Sequence, residues 1–586
     1  MKNLLKVMLS LVVAVTLVAC GGEKSSDSIT ILSGDMNMDI YPYITNNAYD
    51  NNVRKAVLGS DGNAAVMYLG EDGEFYLNET ITKSVETVEN EDGSKTFKVE
   101  INPGIKFSDG EEAKAIDFIS YYYFVGSQEG KEAGFSTSIF SLLEGGSEYL
   151  SGDADTISGL VATGDYTFEA TYSAHNFPYY WESSLLAVYF PMKTTDLFED
   201  GDITKAPLVS EVVDNISMPV GAGPYVVTEY KNDQYMVLEA NEHYIGDYNG
   251  VKPSIEKINI KIAPMDTDME QLLSGDGDYL GGVVETDKIN AGLDADGIAY
   301  STYLRNGYGA LMFHSDMPII EDVRVRQAMA YLLDREEFLE AFTGGYAELV
   351  HGPYGLSMTE VEESSVVPEE LNSYDYDEAK VEELLTAAGW GYDKNGNEWK
   401  ADGSDSNFRY NEAGEELKLY WNASESEYTD KLMAVVANTF PQAGINLVVD
   451  VTDFAPLLEN YYNDAQLTIS ERKYSMFNMA NTFASPNNPY AASYHSDYYG
   501  TSTNSLHIND PKLDELIDNV RFTDPDDREG YIAAWDEMQA YMNEQVYMIP
   551  LYSNNYHDFY NDKIENVVGT PFWTWGNQIH TWTIEE

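Results

Sequence analysis

One cysteine, Cys20, stands among 586 residues, so no intrachain disulfide can form and no cysteine-based metal or redox centre is available. Basic residues are scarce: 34 Lys and Arg face 99 Asp and Glu, a formal net charge of −65 at pH 7. A surface of that sign repels phosphates and anionic headgroups, which excludes nucleic-acid binding as a function class. Past the N-terminal run no apolar stretch approaches the roughly 20 residues of a membrane-spanning helix. Catalytic signatures are missing too. The eight histidines form no HExxH or other close metal pair, and there is no GxSxG elbow, no GxxxxGK[ST] loop and no GxGxxG turn. Asp393, Asn395 and Asn397 imitate a calcium loop, but Glu398 occupies the place where that loop needs glycine, so a polar hairpin is expected there. Carboxylates abound, yet nothing selects one acid–base pair among them. The expectation is a non-enzymatic chain without cofactor or metal; a surface hydrolase stays as a remote alternative.

What is present points to a large ordered body. Hydrophobic residues make up 43% and aromatics 13%, enough for an extensive core, and the length implies several domains or one large multi-lobed body. Residues 1–20 carry Lys2 and Lys6, then an apolar run broken only by Ser10 and Thr16, then Ala19 and Cys20. This reads as a secretory signal peptide, too short to span a bilayer. "LVACGG" resembles the bacterial lipobox, which implies alkylation of the Cys20 thiolate by diacylglycerol, cleavage before it and further acylation of palmitate type. Two or more acyl chains hold a protein on a membrane where one does so only marginally. Residues 21–28, "GGEKSSDS", then form a flexible tether with a reach of about 15 Å. The expected location is extracytoplasmic, lipid-anchored to the cell membrane.

From Ser28 the chain alternates strand-like and helix-like units, so the fold class expected is α/β. Glu71-Asp72-Gly73-Glu74 and Asp92-Gly93 read as hairpin turns, and Phe97, Val99 and Ile101 alternate as a strand. Asp375 with Glu378 reads as a capping box before a helix faced by Val381, Leu384, Leu385 and Ala388 and stopped by Gly389; Asp334 with Glu337 repeats the device. Leu432, Val435, Val436 and Phe440 make a helical stripe, Ile445 to Val451 a strand, and Asp510-Pro511 opens a helix carrying Leu513, Leu516, Ile517 and Val520.

Several longer stretches carry a resemblance. "KTFKVEINPGIKFSDGEEAKAIDFISYYYF" (95–124), "GAGPYVVTEY" (221–230), "NEHYIG" (241–246), "MPIIEDVRVRQAMAYLLDREEF" (317–338), "YDYDEAKVEELLTAAGW" (374–390), "DPKLDELIDN" and "YMIPLY" occur in that order. They resemble the family 5 extracellular solute-binding proteins of ABC importers, the oligopeptide and dipeptide binders. The resemblance implies a two-lobed, periplasmic-binding-protein-like fold (type II, three domains, cluster C) with a ligand cleft between the lobes. It implies domain I at 29–62, 191–285 and 550–586, domain II at 63–190 and domain III at 286–549, after a signal peptide at 1–19 and the lipidated tether at 20–28. It also implies partners: an oligopeptide or other small-molecule ligand captured by lobe closure, and a membrane permease with its ATPase. The cleft residues it implies are Asp35, Met36, Phe135, Tyr308, Arg472, Asn481, Phe483, Ser485, Asn488 and Tyr490. One departs from the peptide-binding pattern: Ser485 stands where those relatives carry the Asp that pairs with the ligand's α-amine, and a hydroxyl does not replace a charge-assisted bond worth about 1.5–3 kcal/mol. Either another carboxylate such as Asp35 serves the amine, or the ligand lacks one, as an oligosaccharide or opine would.

Overall fold

The structure, a computed structural model, describes residues 28–45, 47–173, 182–462, 464, 467–483 and 489–585. Ser485 and Asn488, like Cys20, lie outside the described residues.

In chain order the principal strands are β1 (Ser28–Ser33), β2 (Thr82–Glu89), β3 (Lys95–Ile101), β4 (Leu160–Gly164), β5 (Thr167–Tyr172), β6 (Tyr225–Lys231), β7 (Tyr235–Ala240) and β8 (Lys257–Ile262). They continue with β9 (Tyr279–Val283), β10 (Ile298–Leu304), β11 (Gly307–Phe313), β12 (Lys418–Ser424), β13 (Asn446–Thr452), β14 (Met476–Thr482) and β15 (Met548–Asn561). A sheet of 12 strands runs β13-β12-β14-β11-β15-β9-β1-β8-β7-β6, with β10 and the short strand Ala347–Glu348 also paired to β15. β2, β3, β5 and β4 form a separate antiparallel sheet of 4 strands.

The 14-residue β15 joins the two halves of the large sheet. Its first residues pair with β11 (Ile549 opposite Leu311), and its later ones pair with β10 and β9 (Phe559 opposite Tyr300 and Leu280). The chain crosses beside it a second time, between Leu304 and Gly307. Asp558 pins this junction. It is buried, and its carboxylate accepts the Tyr279 hydroxyl at 2.9 Å, the Gly282 amide at 2.8 Å and the Tyr303 hydroxyl at 3.2 Å. Burial raises its pKa above the ordinary carboxylate value, outweighing those three donors.

β11 is buried along its whole length because both its faces meet a core. Leu311 and Phe313 pack with Trp421, Leu432 and Phe440 on one side; Tyr308, Ala310 and Met312 pack with Phe477, Leu513 and Trp535 on the other. Successive side chains of a strand point to opposite faces, so one apolar strand serves two layers of helices. β3 is half-buried instead, and its Phe97, Val99 and Ile101 enter the core while the residues between them do not.

Local signals act as the sequence implies in most places. Gly73 (φ 85°) and Gly93 (φ 86°) take the left-handed backbone their turns require. Asp334 accepts the Glu337 amide at 2.9 Å, and Asp510 caps the helix Pro511–Arg521. Tyr392 and Glu398 pair across the 393–397 turn, where Asp393 accepts the Asn395 and Asn397 amides, so that segment is the polar hairpin expected. One cap moves. The helix Glu378–Ala387 is capped by Asp377, which accepts the Ala379 and Lys380 amides, and not by Asp375. Tyr374 takes φ 47°, which bends the chain ahead of the helix, and the extended Asp377 brings its carboxylate over the first turn.

Candidate functional site

The residues nominated from sequence fall into separate groups. Tyr308, Asn481, Phe483 and Tyr490 come together at one end of the β11–β14 pair, where Tyr308 lies directly opposite Asn481. The Asn481 side-chain amide donates to the Tyr308 hydroxyl at 3.2 Å, and that hydroxyl lies 2.9 Å from the Tyr494 hydroxyl. The Phe483 ring stands 5.9 Å from Tyr308 and 6.0 Å from Tyr490, and its amide donates to the Asn306 carbonyl at 2.7 Å. Tyr490 is buried, donates to the Pro353 carbonyl at 3.0 Å and accepts from Gln539 at 3.2 Å. Burial pushes the Tyr308 hydroxyl up to about 12, against the pull of its Tyr494 and Asn481 bonds, so the phenol is neutral throughout the physiological range. Among the described residues, then, this wall is aromatic, polar and uncharged. Tyr308 and Tyr490 are 0% and 1% exposed and belong to the core as Phe135 does. Asn481 and Phe483, half-buried in front of them, are the members that can meet a ligand, by hydrogen bonding and by stacking, and neither carries a charge.

Two glycines let the wall form. A Cβ on Gly307 would lie 2.0 Å from the Asn481 carbonyl oxygen, and one on Gly309 would lie 2.2 Å from the Tyr552 ring. Only a residue without a side chain permits that approach of β14 and β15 to β11.

Asp35 and Met36 follow β1 and diverge. Asp35 is exposed, with its carbonyl held by the Asn47 side chain at 2.9 Å; Met36 is buried in the core. Asn47 also caps the helix Ala48–Leu58, so one side chain fixes both the strand exit and the helix entry. Around Tyr49 the surroundings are acidic: burial raises its pKa first, and Asp268, Asp35 and Glu285 raise it further, against Lys288. This half of the molecule supplies the carboxylates that the Tyr308 wall lacks.

Two nominated residues do other work. Phe135 is 1% exposed and packs edge-on against Phe124, with centroids 5.3 Å apart, because the turn at Gly134 (φ 96°) folds it into the core beside β2–β5. It is a core side chain, not a cleft contact. Arg472 has its side chain 4% exposed and is committed to Asp316, whose two carboxylate oxygens lie 2.9 and 2.8 Å from Nη1. Asp316 follows the far end of β11, one strand length from Tyr308, so Arg472 does not join the wall.

The fold also makes a constellation that spacing along the chain conceals. His314 Nδ1 lies 3.0 Å from Asp464 Oδ2, and His507 Nε2 lies 2.9 Å from Asp464 Oδ1, with all three residues buried.

At the opposite edge, the hairpin of Met67–Leu69 and Phe75–Leu77 carries Glu74, whose pKa is raised by burial and lowered by Arg528, with Asp72, Glu360 and Glu363 opposing. Arg528 opens the helix Arg528–Gln545 and Glu363 ends the helix Thr359–Glu363, so elements far apart in sequence approach one another there.

The family model of bacterial extracellular solute-binding proteins, family 5 Middle, matches residues 80–504. The chain belongs to that family. Among curated relatives of this family 5 protein, the oligopeptide-binding protein AppA of Bacillus subtilis (strain 168) is 23% identical over 563 residues, 93% of this chain and 92% of the relative. Protein XP55 of Streptomyces lividans is 22% identical over 492 residues, 82% of this chain and 77% of the relative. Among solved structures, AppA from Bacillus subtilis in complex with a nonapeptide superposes with a TM-score of 0.71 at 18% identity, covering 95% of this chain and 99% of that one. Lactococcal OppA with an endogenous peptide in the closed conformation gives 0.73 at 16% identity, covering 94% and 98%. The fold is thus the two-lobed, periplasmic-binding-protein-like one. This family 5 protein is an extracytoplasmic solute-binding component, and no helix among its described residues is long and apolar enough to cross a membrane.

Proposed function

We propose that the chain captures oligopeptides outside the cytoplasm and delivers them to the permease and ATPase of an ABC importer, without turnover of its own. The observation that carries this is the uncharged pair of half-buried Asn481 and Phe483 at the end of β14, backed by the buried Tyr308 and Tyr490, in a chain that matches an oligopeptide-binding relative along 92% of its length. Extended peptides pair through their backbones with cleft strands, and wet aromatic pockets tolerate varied side chains. A ligand touching both lobes stabilises closure by its differential affinity for the closed form. Asp35, exposed beside β1, supports capture of the ligand's amine by a carboxylate other than one at position 485.

The pairing of β15 supports a division in which β1, β6–β9 and the C-terminal segment form domain I, β2–β5 form domain II, and β11–β14 form domain III. The lobe crossings then lie at residues 304–307 and 552–556. The lone Cys20 is the lipid-bearing N-terminus of the mature chain in this reading, and intact mass of protein from membranes reads it directly: a Cys20→Ser chain released to the medium is expected, and a wild-type chain without acyl mass refutes the anchor.

Calorimetry with peptides of two to six residues, each free and N-acetylated, tests the ligand class. Tight binding of free peptides is expected, and loss of it on acetylation assigns the amine to a carboxylate. The neutral wall also favours a second reading, an amine-free solute such as an oligosaccharide; binding of neutral sugars with silence across the peptides replaces the first reading with it.

A further inference from the structure

A buried group of titratable side chains lies away from the Tyr308 wall, at the other end of β11. His314 directly follows that strand and donates its backbone amide to the Ser475 carbonyl at 3.1 Å. Asp464 follows the helix Phe454–Tyr462, and His507 (φ 52°) sits in the loop ahead of Asp510. The His314, Asp464 and His507 side chains are 0%, 9% and 0% exposed, and the two imidazole centroids are 4.5 Å apart. One ligand atom from each residue lies within 4.8 Å of the others.

Hydrogen bonding alone accounts poorly for this arrangement. Asp464 turns one oxygen to each ring: Oδ1 is hydrogen-bonded with His507 Nε2 at 2.9 Å, whereas His314 Nδ1, although 3.0 Å from Oδ2, is not aligned to donate to it. His314 Nε2 and His507 Nδ1 have no hydrogen-bond partner among the described residues either. Buried polar atoms are paired in the great majority of proteins, so several orphans on two touching rings call for a specific cause. Two donor atoms set side by side about 3 Å apart, rather than pointing at one another, is the spacing of neighbouring ligands on one ion with bonds of about 2.0–2.2 Å. The rings of Tyr461 and Phe477 pack against His314, with centroids at 6.1 and 4.5 Å. The nearest cation, Arg472, is already neutralised by Asp316.

We propose that His314, Asp464 and His507 form a structural site for a divalent transition metal, zinc in the first place. Two imidazole nitrogens and a carboxylate that turns both oxygens inward offer up to four donor atoms, a set suited to zinc and poorly suited to magnesium or calcium, which take oxygen. The ion would tie together the end of β11, the end of the helix Phe454–Tyr462 and the 504–510 loop. It takes no part in ligand capture, so the site stands whether or not the peptide reading holds.

The test uses the full chain, prepared without a histidine tag. Metal content is measured by mass spectrometry after gel filtration, before and after incubation with zinc chloride, for the wild type and for His507→Gln, Asp464→Asn and the half-buried control His243→Gln, which lies outside the group. One zinc per chain is expected for wild type and control, with affinity at least ~100-fold lower in the other two, and a zinc-dependent rise in Tm only where the zinc is retained. Cobalt loading of the wild type is expected to give visible ligand-field bands, which keeps the proposal testable if Asp464→Asn does not fold. Equal zinc uptake by all four chains, or a wild type that takes up neither zinc nor cobalt beyond loose surface binding, overturns the proposal.

Discussion

Asp558 offers a quantitative test of how the lobe junction is held. It is 4% exposed and accepts three bonds, from Tyr279, Gly282 and Tyr303, so it ties β9 and β10 to β15. Replacing it with alanine strands two tyrosine hydroxyls and an amide. At about 1 kcal/mol for each net bond, with added desolvation cost for what is left unpaired, the loss is about 2–4 kcal/mol. Asp558→Asn behaves differently. Its carbonyl oxygen still accepts from Gly282 and Tyr303, and its amide can donate to the Tyr279 oxygen, so the loss is about 1 kcal/mol. The raised pKa fixes the sign of the pH effect. An acid whose folded pKa is raised contributes stability that is complete below its unfolded pKa, near 4, and disappears as pH rises through the folded value. The wild type therefore carries the cost of a buried charge at neutral pH and the asparagine variant does not. The asparagine penalty is expected to shrink between pH 4 and pH 7, while the alanine penalty stays the larger at both. Urea denaturation followed by tryptophan fluorescence measures both variants. Equal losses for alanine and asparagine, or an asparagine penalty that grows with pH, would refute the assignment of Asp558 as a neutral-tolerant acceptor for three donors.

Three further outcomes are expected. Burial, then the nearby Arg335, hold the His351 pKa down to about 4, so its contribution to stability is complete above about pH 6.5 and is lost as pH falls toward 4; the span is at most about 3 kcal/mol before screening by solvent reduces it. His351→Gln should flatten the acid limb of a urea-midpoint series, and an unchanged limb refutes the mechanism. Gly307→Ala puts a Cβ 2.0 Å from the Asn481 carbonyl oxygen and should cost more than about 2 kcal/mol, whereas Gly391→Ala, which meets only the Thr386 methyl at 3.5 Å, should lie within about 1 kcal/mol of wild type. Phe483→Ala, which removes the ring between Tyr308 and Tyr490, should weaken ligand binding about tenfold by calorimetry and leave Tm nearly unchanged; full affinity in that variant removes the wall from the site.

Legibility in the sequence followed the range of the interaction that sets each feature. Caps and turns depend on neighbours within four residues, so Asp334, Asp510 and Gly93 could be read directly, and the one displaced cap moved only from Asp375 to Asp377. Tyr308 and Asn481 met because the strands that carry them pair in register, and a strand pair transmits position faithfully across its ladder; Phe483 directly follows β14, and Tyr490 reaches it from the helix Pro489–Tyr494. Phe135 and Arg472 were placed by chain position alone, which says nothing about direction. For Phe135 a glycine with positive φ turned the ring inward; for Arg472 a carboxylate 156 residues away captured the side chain. Neither fact has a local signature, although an arginine in a chain of net charge −65 had a strong electrostatic reason to find a partner. The His314, Asp464 and His507 group is the extreme case. Searching for metal pairs at helical or hairpin spacing cannot find ligands 150 and 43 residues apart, because only the closing of β14 against β11 and the packing of the helix Phe454–Tyr462 bring them to one point. A sequence therefore reports which chemistry is present sooner than where it converges, and long-range convergence is where a structure adds most.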